Sequence, residues 1–169
     1  IDDMSHPFHH LDLQPVAWPE QVTVDTPTLM VDYRWGFASD KEKAQCAKAW
    51  VRALPQFTHL RSLYFYSTCT PPLLEAICTL TQLETLKFFG NTLKDLGPVS
   101  QLRGLRHLSI GPATKIRALA PLIPLQQLTL LALRDLRAVE DFTPLLALPQ
   151  LRDLLVGSNI WAACAPWPP

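Results

Sequence analysis

Leu83-Glu84-Thr85-Leu86-Lys87-Phe88-Phe89-Gly90-Asn91-Thr92-Leu93 is the stretch that decides the fold. Positions 83, 86 and 88 read L-x-x-L-x-Φ, where Φ is apolar. The same spacing returns at Leu60, Leu63 and Phe65, at Leu105, Leu108 and Ile110, at Leu128, Leu131 and Leu133, and at Leu151, Leu154 and Val156. The first leucines are 23, 22, 23 and 23 residues apart. A fixed period of roughly 20–29 residues marks a solenoid, in which each repeat buries its apolar side only against its neighbours.

Within each repeat the pattern gives direction. Successive side chains of a strand alternate between its faces, so Leu63 and Phe65 point inward while Tyr64 points out. Stacked repeats then form a parallel ladder with strands about 4.8 Å apart. The return paths are apolar about every third residue: Leu93, Leu96, Val99 and Leu102; Ile116, Leu119, Leu122 and Leu125; Val139, Phe142, Leu145 and Leu148. That spacing, with Pro98, Pro121 and Pro144, suits tight 3-10 turns. The first return path differs, because Pro71-Pro72 ahead of Leu73–Ile77 predicts a short α-helix.

The flanks predict capping structure over residues 1–58. Residues 1–20 lack periodicity and read as an arm. Gln21–Val24 and Thr28–Tyr33, split by Asp25-Thr26-Pro27, read as a β-hairpin, placing strands near 21–34. Such an element would cover the first strand edge. Ser39 and Glu42 have capping-box spacing and open a helix near 40–54, with Ala44, Ala47, Val51 and Leu54 as its apolar stripe, Trp50 beside it, and Pro55 as its stop. Residues 59–160 hold five repeats and 161–169 a tail in which Trp161, Cys164 and Trp167 read as a cap over the last repeat or, alternatively, as an interface, all within one domain.

The 83–93 segment resembles the leucine-rich-repeat consensus L-x-x-L-x-L-x-x-N-x-L, and the unit resembles the short-repeat class of internalins and nuclear phosphatase regulators. The resemblance covers about residues 56–160. It implies an α/β fold: a right-handed solenoid with a parallel sheet on its concave face, short 3-10 or α return segments and, on this chain, the hairpin-plus-helix cap. It also implies protein partners. The family's asparagine buries its amide against neighbouring loops. Asn91 and Asn159 keep it, while Thr68, Ala113 and Leu136 replace it, so the polar ladder is incomplete and the loop at Leu136 must shift or recruit water.

Fifteen acidic and fifteen basic residues balance in the 169-residue chain. That balance gives no general reason to bind nucleic acid or a membrane surface. No apolar run reaches the roughly 20 residues of a spanning helix, and no basic-then-apolar signal peptide is visible. Cys46, Cys69, Cys78 and Cys164 form no C-x-x-C and read as reduced, buried thiols. The expected location is cytoplasmic, or that of a translocated effector.

Chemistry finds little support. His6, His9 and His10 with Asp2 or Asp3 could gather a metal, but terminal residues of this kind are more often solvated, so no metal or cofactor is expected. No catalytic signature surrounds His107 or any cysteine, and Glu140-Asp141 reads as a turn cap. The chain is therefore expected not to be an enzyme. The expected binding surface is the outward strand positions: Ser62, Tyr64 and Tyr66; Thr85, Lys87 and Phe89; His107, Ser109 and Gly111; Leu130, Ala132 and Arg134; Asp153, Leu155 and Gly157; with Asp32 and Arg34 beside them. Leu130, Ala132, Leu155 and the glycines complete the face, and the remainder are the candidate partner-binding residues. Exposed aromatics flanked by cations match interface hot spots. The function expected is non-catalytic protein–protein interaction by a monomer; the alternative is the recognition domain of a larger multidomain enzyme.

Overall fold

The structure is a computed structural model that describes residues 13–34, 36–37 and 39–157. Six parallel strands form one sheet in sequence order: β1 (Thr28–Val31), β2 (Ser62–Thr68), β3 (Thr85–Phe89), β4 (His107–Ile110), β5 (Leu130–Arg134) and β6 (Asp153–Gly157). The register aligns the repeat motif. Leu63, Leu86, Leu108, Leu131 and Leu154 pair in one row, and Phe65, Phe88, Ile110, Leu133 and Val156 in the next. From Leu63 to Leu131 and from Phe65 to Leu133 these residues are fully buried. Each such side chain contributes about 1.5–3 kcal/mol relative to exposure.

A recurrent joint sets this register. The carbonyl of the residue before each strand accepts two amides from the next coil. Arg61 O takes Glu84 N and Thr85 N at 2.8 and 3.0 Å, Glu84 O takes Arg106 N and His107 N, Arg106 O takes Thr129 N and Leu130 N, and Thr129 O takes Arg152 N and Asp153 N. A tight turn precedes each joint, closed by Leu83 N to Leu80 O, Leu105 N to Leu102 O, and Leu128 N to Leu125 O.

The return segments are α-helical at first and then 3-10. First comes α1 (Asp40–Ala53), then α2 (Pro71–Cys78), then 3-10 turns at Gly97–Gln101, Ala120–Leu122 and Thr143–Ala147, each with proline as its second residue. Each packs on the next. The three-residue apolar spacing buries Leu93, Leu96, Val99 and Leu102 and their counterparts; Phe142 departs from it and is exposed.

The N-terminal side corrects the expected hairpin. Gln21–Val24 forms no strand, because Pro19–Gln21 is a 3-10 turn in which Gln21 Oε1 accepts the amides of Ala17 and Trp18 at 2.9 and 2.8 Å. β1 pairs in parallel with β2. Its other edge is covered by Val16, whose amide donates to Met30 O and whose carbonyl accepts Asp32 N, both at 3.0 Å. The arm, not a hairpin, shields that edge. Ala17 O holds it to α1 by accepting Trp50 Nε1 at 2.7 Å and Cys46 Sγ at 3.0 Å. The buried stripe of α1 is accordingly Cys46 and Trp50, followed by Leu54, while Ala44 is exposed. Ser39 Oγ caps the helix by accepting Glu42 N at 3.3 Å.

The asparagine expectation also changes. Asn91 is exposed, and the inward places of these loops hold the small residues Cys69, Gly90 and Ala113. The polar link between coils comes from the neighbour: Thr92 Oγ1 donates to Cys69 O at 2.8 Å. Beside Leu136 the loop turns through a left-handed residue. Asp135 adopts φ 55°, and its amide donates to Gly157 O at 2.9 Å. Asn159, the histidines of the arm and the tryptophans of the tail lie outside the described residues.

Candidate functional site

The sheet face away from the return segments carries the outward positions. Three rows run across it: Thr28, Ser62, Thr85, His107, Leu130 and Asp153; then Met30, Tyr64, Lys87, Ser109, Ala132 and Leu155; then a less regular third, with Tyr66 against Phe89, whose ladder partner is Thr68, Gly111 against Arg134, and Arg134 opposite Gly157.

Alternation gave their direction correctly but overstated their exposure. Tyr64 is 2 % exposed, Thr85 and Ser109 are buried, and so is Leu130. The Tyr64 hydroxyl bonds the side chains of Ser62 and Thr85, and burial pushes its pKa up to about 12. It lies outside the main apolar core, on the open face. Side chains on adjacent strands are close enough to cover one another, so an outward residue in mid-sheet can be dry. His107 is half-buried, with Nδ1 3.1 Å from Thr85 Oγ1. Asp153 is exposed at the far end.

The accessible chemistry gathers in the third row. β2 shifts register between Phe65 and Thr68. This bulge turns Ser67 inward, where its hydroxyl accepts Tyr33 N at 2.8 Å, and leaves Tyr66 half-buried on the open face. Tyr66 meets Phe89 edge-on, with centroids 5.8 Å apart and planes at 81°. Cations cover both rings. Arg34 lies 5.8 Å from the Tyr66 centroid and 5.6 Å from that of Phe89; Lys87 Nζ lies 4.9 Å from Tyr66; Arg134 lies 5.9 Å from Phe89. Each such contact is worth about 0.5–1 kcal/mol where solvent reaches it.

Two features hold the cations there. Asp32 accepts Arg34 Nε at 2.9 Å and Nη2 at 2.7 Å, a bidentate fork. Burial opposes ionisation of Asp32, but the hydrogen bonds and charge of Arg34 prevail and keep its carboxyl below the usual range. Gly111 supplies the second. A Cβ there would sit 2.6 Å from Arg134 Cβ, so the missing side chain opens the path by which Arg134 reaches across β4 to Phe89. Burial, and then the charge of Arg134, push Lys87 down to about 8. Burial raises Tyr66, against the opposing pull of Arg34 and Arg134. Sequence reasoning named all these residues except Gly111's role as a gap, which its position opposite a long side chain could have suggested.

The other chemical candidates resolve simply. Asp141 Oδ1 accepts Thr143 N at 2.8 Å and caps the following turn. Cys46, Cys69 and Cys78 are buried free thiols. Among the described residues no group of His, Cys, Asp and Glu is gathered to hold a metal, and no helix is long and apolar enough to cross a membrane.

No protein-family model matches the sequence, and no curated protein matches it. Solved structures do. A crystal structure of an internalin (inlF) from Listeria monocytogenes matches with 25% identity over 78% of this chain and a TM-score of 0.56. The chain spans 41% of that protein's length. An internalin C2 from the same organism matches at 20% identity over 64% of this chain and 68% of its own, with a TM-score of 0.38. With the aligned register, the coil joints and the likeness to inlF in view, the chain is a leucine-rich-repeat protein resembling the internalins.

Proposed function

We propose that the chain is a non-catalytic protein-interaction module that takes a protein partner on the concave face of its sheet. The observation that carries this reading is the Tyr66–Phe89 pair with Arg34, Lys87 and Arg134 around it. Aromatic and arginine side chains dominate binding energy at interfaces, and here they are held in place before any partner arrives. The candidate surface comprises Asp32, Arg34, Tyr66, Lys87, Phe89, His107, Arg134 and Asp153. Half-buried Ser62 belongs to the same surface, and the buried Tyr64, Thr85 and Ser109 serve beneath it as supports. The three buried free thiols support folding in a reducing compartment such as the cytoplasm.

The test compares affinity capture by the natural chain with that by Tyr66→Ala and Phe89→Ala, and by Ile123→Ser among the return turns. Proteins retained by the natural chain and Ile123→Ser but lost from both aromatic variants support the reading. Equal capture by all four removes it. A second reading, the recognition part of a larger enzyme, draws on the chain's span of less than half of inlF; turnover by the longer protein, absent from this unit alone, would support it.

A further inference from the structure

We infer that the concave cluster recognises an acidic peptide segment, whose carboxylates meet Arg134 and Lys87 above the Tyr66 and Phe89 rings. This rests on the concave-face reading and adds the chemistry of the partner.

Arg34, Lys87 and Arg134 converge on two adjacent rings. The carboxylate on this part of the face, Asp32, is already bound in a fork by Arg34. Asp153 stands opposite Leu130 in a different row, on β6, three strands from Phe89. Among the described residues Arg134 enters no ion pair. A complementary partner brings negative charge, since like charges across an interface cost several kcal/mol.

Ring geometry favours peptide over nucleic acid. Single-stranded nucleic acid binds by stacking bases on open aromatic faces. Here the rings are locked edge-to-face and their surfaces carry guanidinium and ammonium groups. Bases have no platform, whereas the stacked cations still offer N–H donors sideways to carboxylates. The aromatic bodies meanwhile supply apolar area for the stems of glutamate side chains.

The test is a nuclear magnetic resonance titration of the isotope-labelled chain with three probes: hexaglutamate, hexalysine and oligo-thymidine of six nucleotides. Hexaglutamate should shift Tyr66, Lys87, Phe89 and Arg134, weaken with added salt, and lose about tenfold or more in affinity with Arg134→Glu. Lys115→Glu, in the separate basic groove formed by Lys94, Lys115 and Arg117, should leave that affinity unchanged. No shift at the cluster up to millimolar hexaglutamate overturns the inference, as do shifts centred on the Lys94 groove or equal binding of oligo-thymidine at the cluster. If hexalysine binds the cluster best, or a captured partner needs Tyr66 but presents a basic segment, the acidic chemistry falls and the concave-face reading stands. If captured partners are indifferent to Tyr66→Ala and Phe89→Ala, that reading falls instead.

Discussion

A methyl group added at residue 111 would lie 2.6 Å from Cβ of Arg134, and its guanidine Nε would be 2.9 Å away. Carbon atoms do not approach so closely, and the obstacle is the root of the side chain rather than its flexible end. Gly111→Ala should therefore cost about 1–3 kcal/mol through overpacking and displace Arg134 from Phe89. A thermal melt and the Arg134 side-chain resonances check the two halves of that statement. Asp135 presents the reverse case. It holds φ 55°, and its Oδ1 is buried without a hydrogen bond among the described residues; Arg137 Nη2, at 3.9 Å, is too far to supply one. Asp135→Gly should stabilise the fold by about 0.5–1 kcal/mol in denaturant titration, as relief of the left-handed strain and of the orphaned oxygen outweighs glycine's flexibility. Lys87 makes a pH prediction. Its folded value near 8 lies below the ordinary ~10.4, so between these limits the unfolded chain binds more protons and stability rises with pH. Cys46 at about 11 and Cys78 at about 12 act oppositely, because burial keeps them protonated while unfolded thiols ionise from about 8.5 upward. The Tyr66 ring lies under the Lys87 ammonium, and Arg134 is the charge that acts on it. The unfolding free energy of the natural chain minus that of Lys87→Met isolates its contribution, and should rise with pH across that window.

At the scale of the element, the strand is the unit that must not be altered. Leu108 is fully buried on β4 with strands on both sides. Leu108→Ala should cost about 2–5 kcal/mol from lost transfer energy and the cavity left behind; an unchanged melting temperature would refute its inward direction. Strands and 3-10 turns were legible because their periods, two and three, are local properties of the chain. The hairpin was misread because alternation in Gln21–Val24 says nothing of partners. Thr28–Val31 pairs with Ser62–Phe65 and bridges to Val16, both choices made by tertiary structure. Tyr64 failed for a related reason: a period of two assigns a side, while coverage depends on neighbours in other strands. Asn91 failed because small residues already fill the inner corner of the loop.

Over the whole molecule, a solenoid's stability is a sum of nearest-neighbour terms. β3 and β4 have coils on both sides, whereas Leu154 on β6 is half-buried and Val156 is 45 % exposed. Leu154→Ala should therefore cost less than Leu108→Ala, and amide hydrogen exchange should slow from β6 inward to β4; uniform protection would contradict a neighbour-by-neighbour architecture. The joint between coils carries a further consequence. Since one carbonyl fastens two amides of the following turn at every step, the repeat is an interchangeable segment. Excising Leu105 to Gln127 whole would bring Thr129 and Leu130 beneath Glu84 O, where Arg106 and His107 stood, and the shortened chain would close with the same fastening. Its length is thus free to change by whole turns, while the clasp between turns is not.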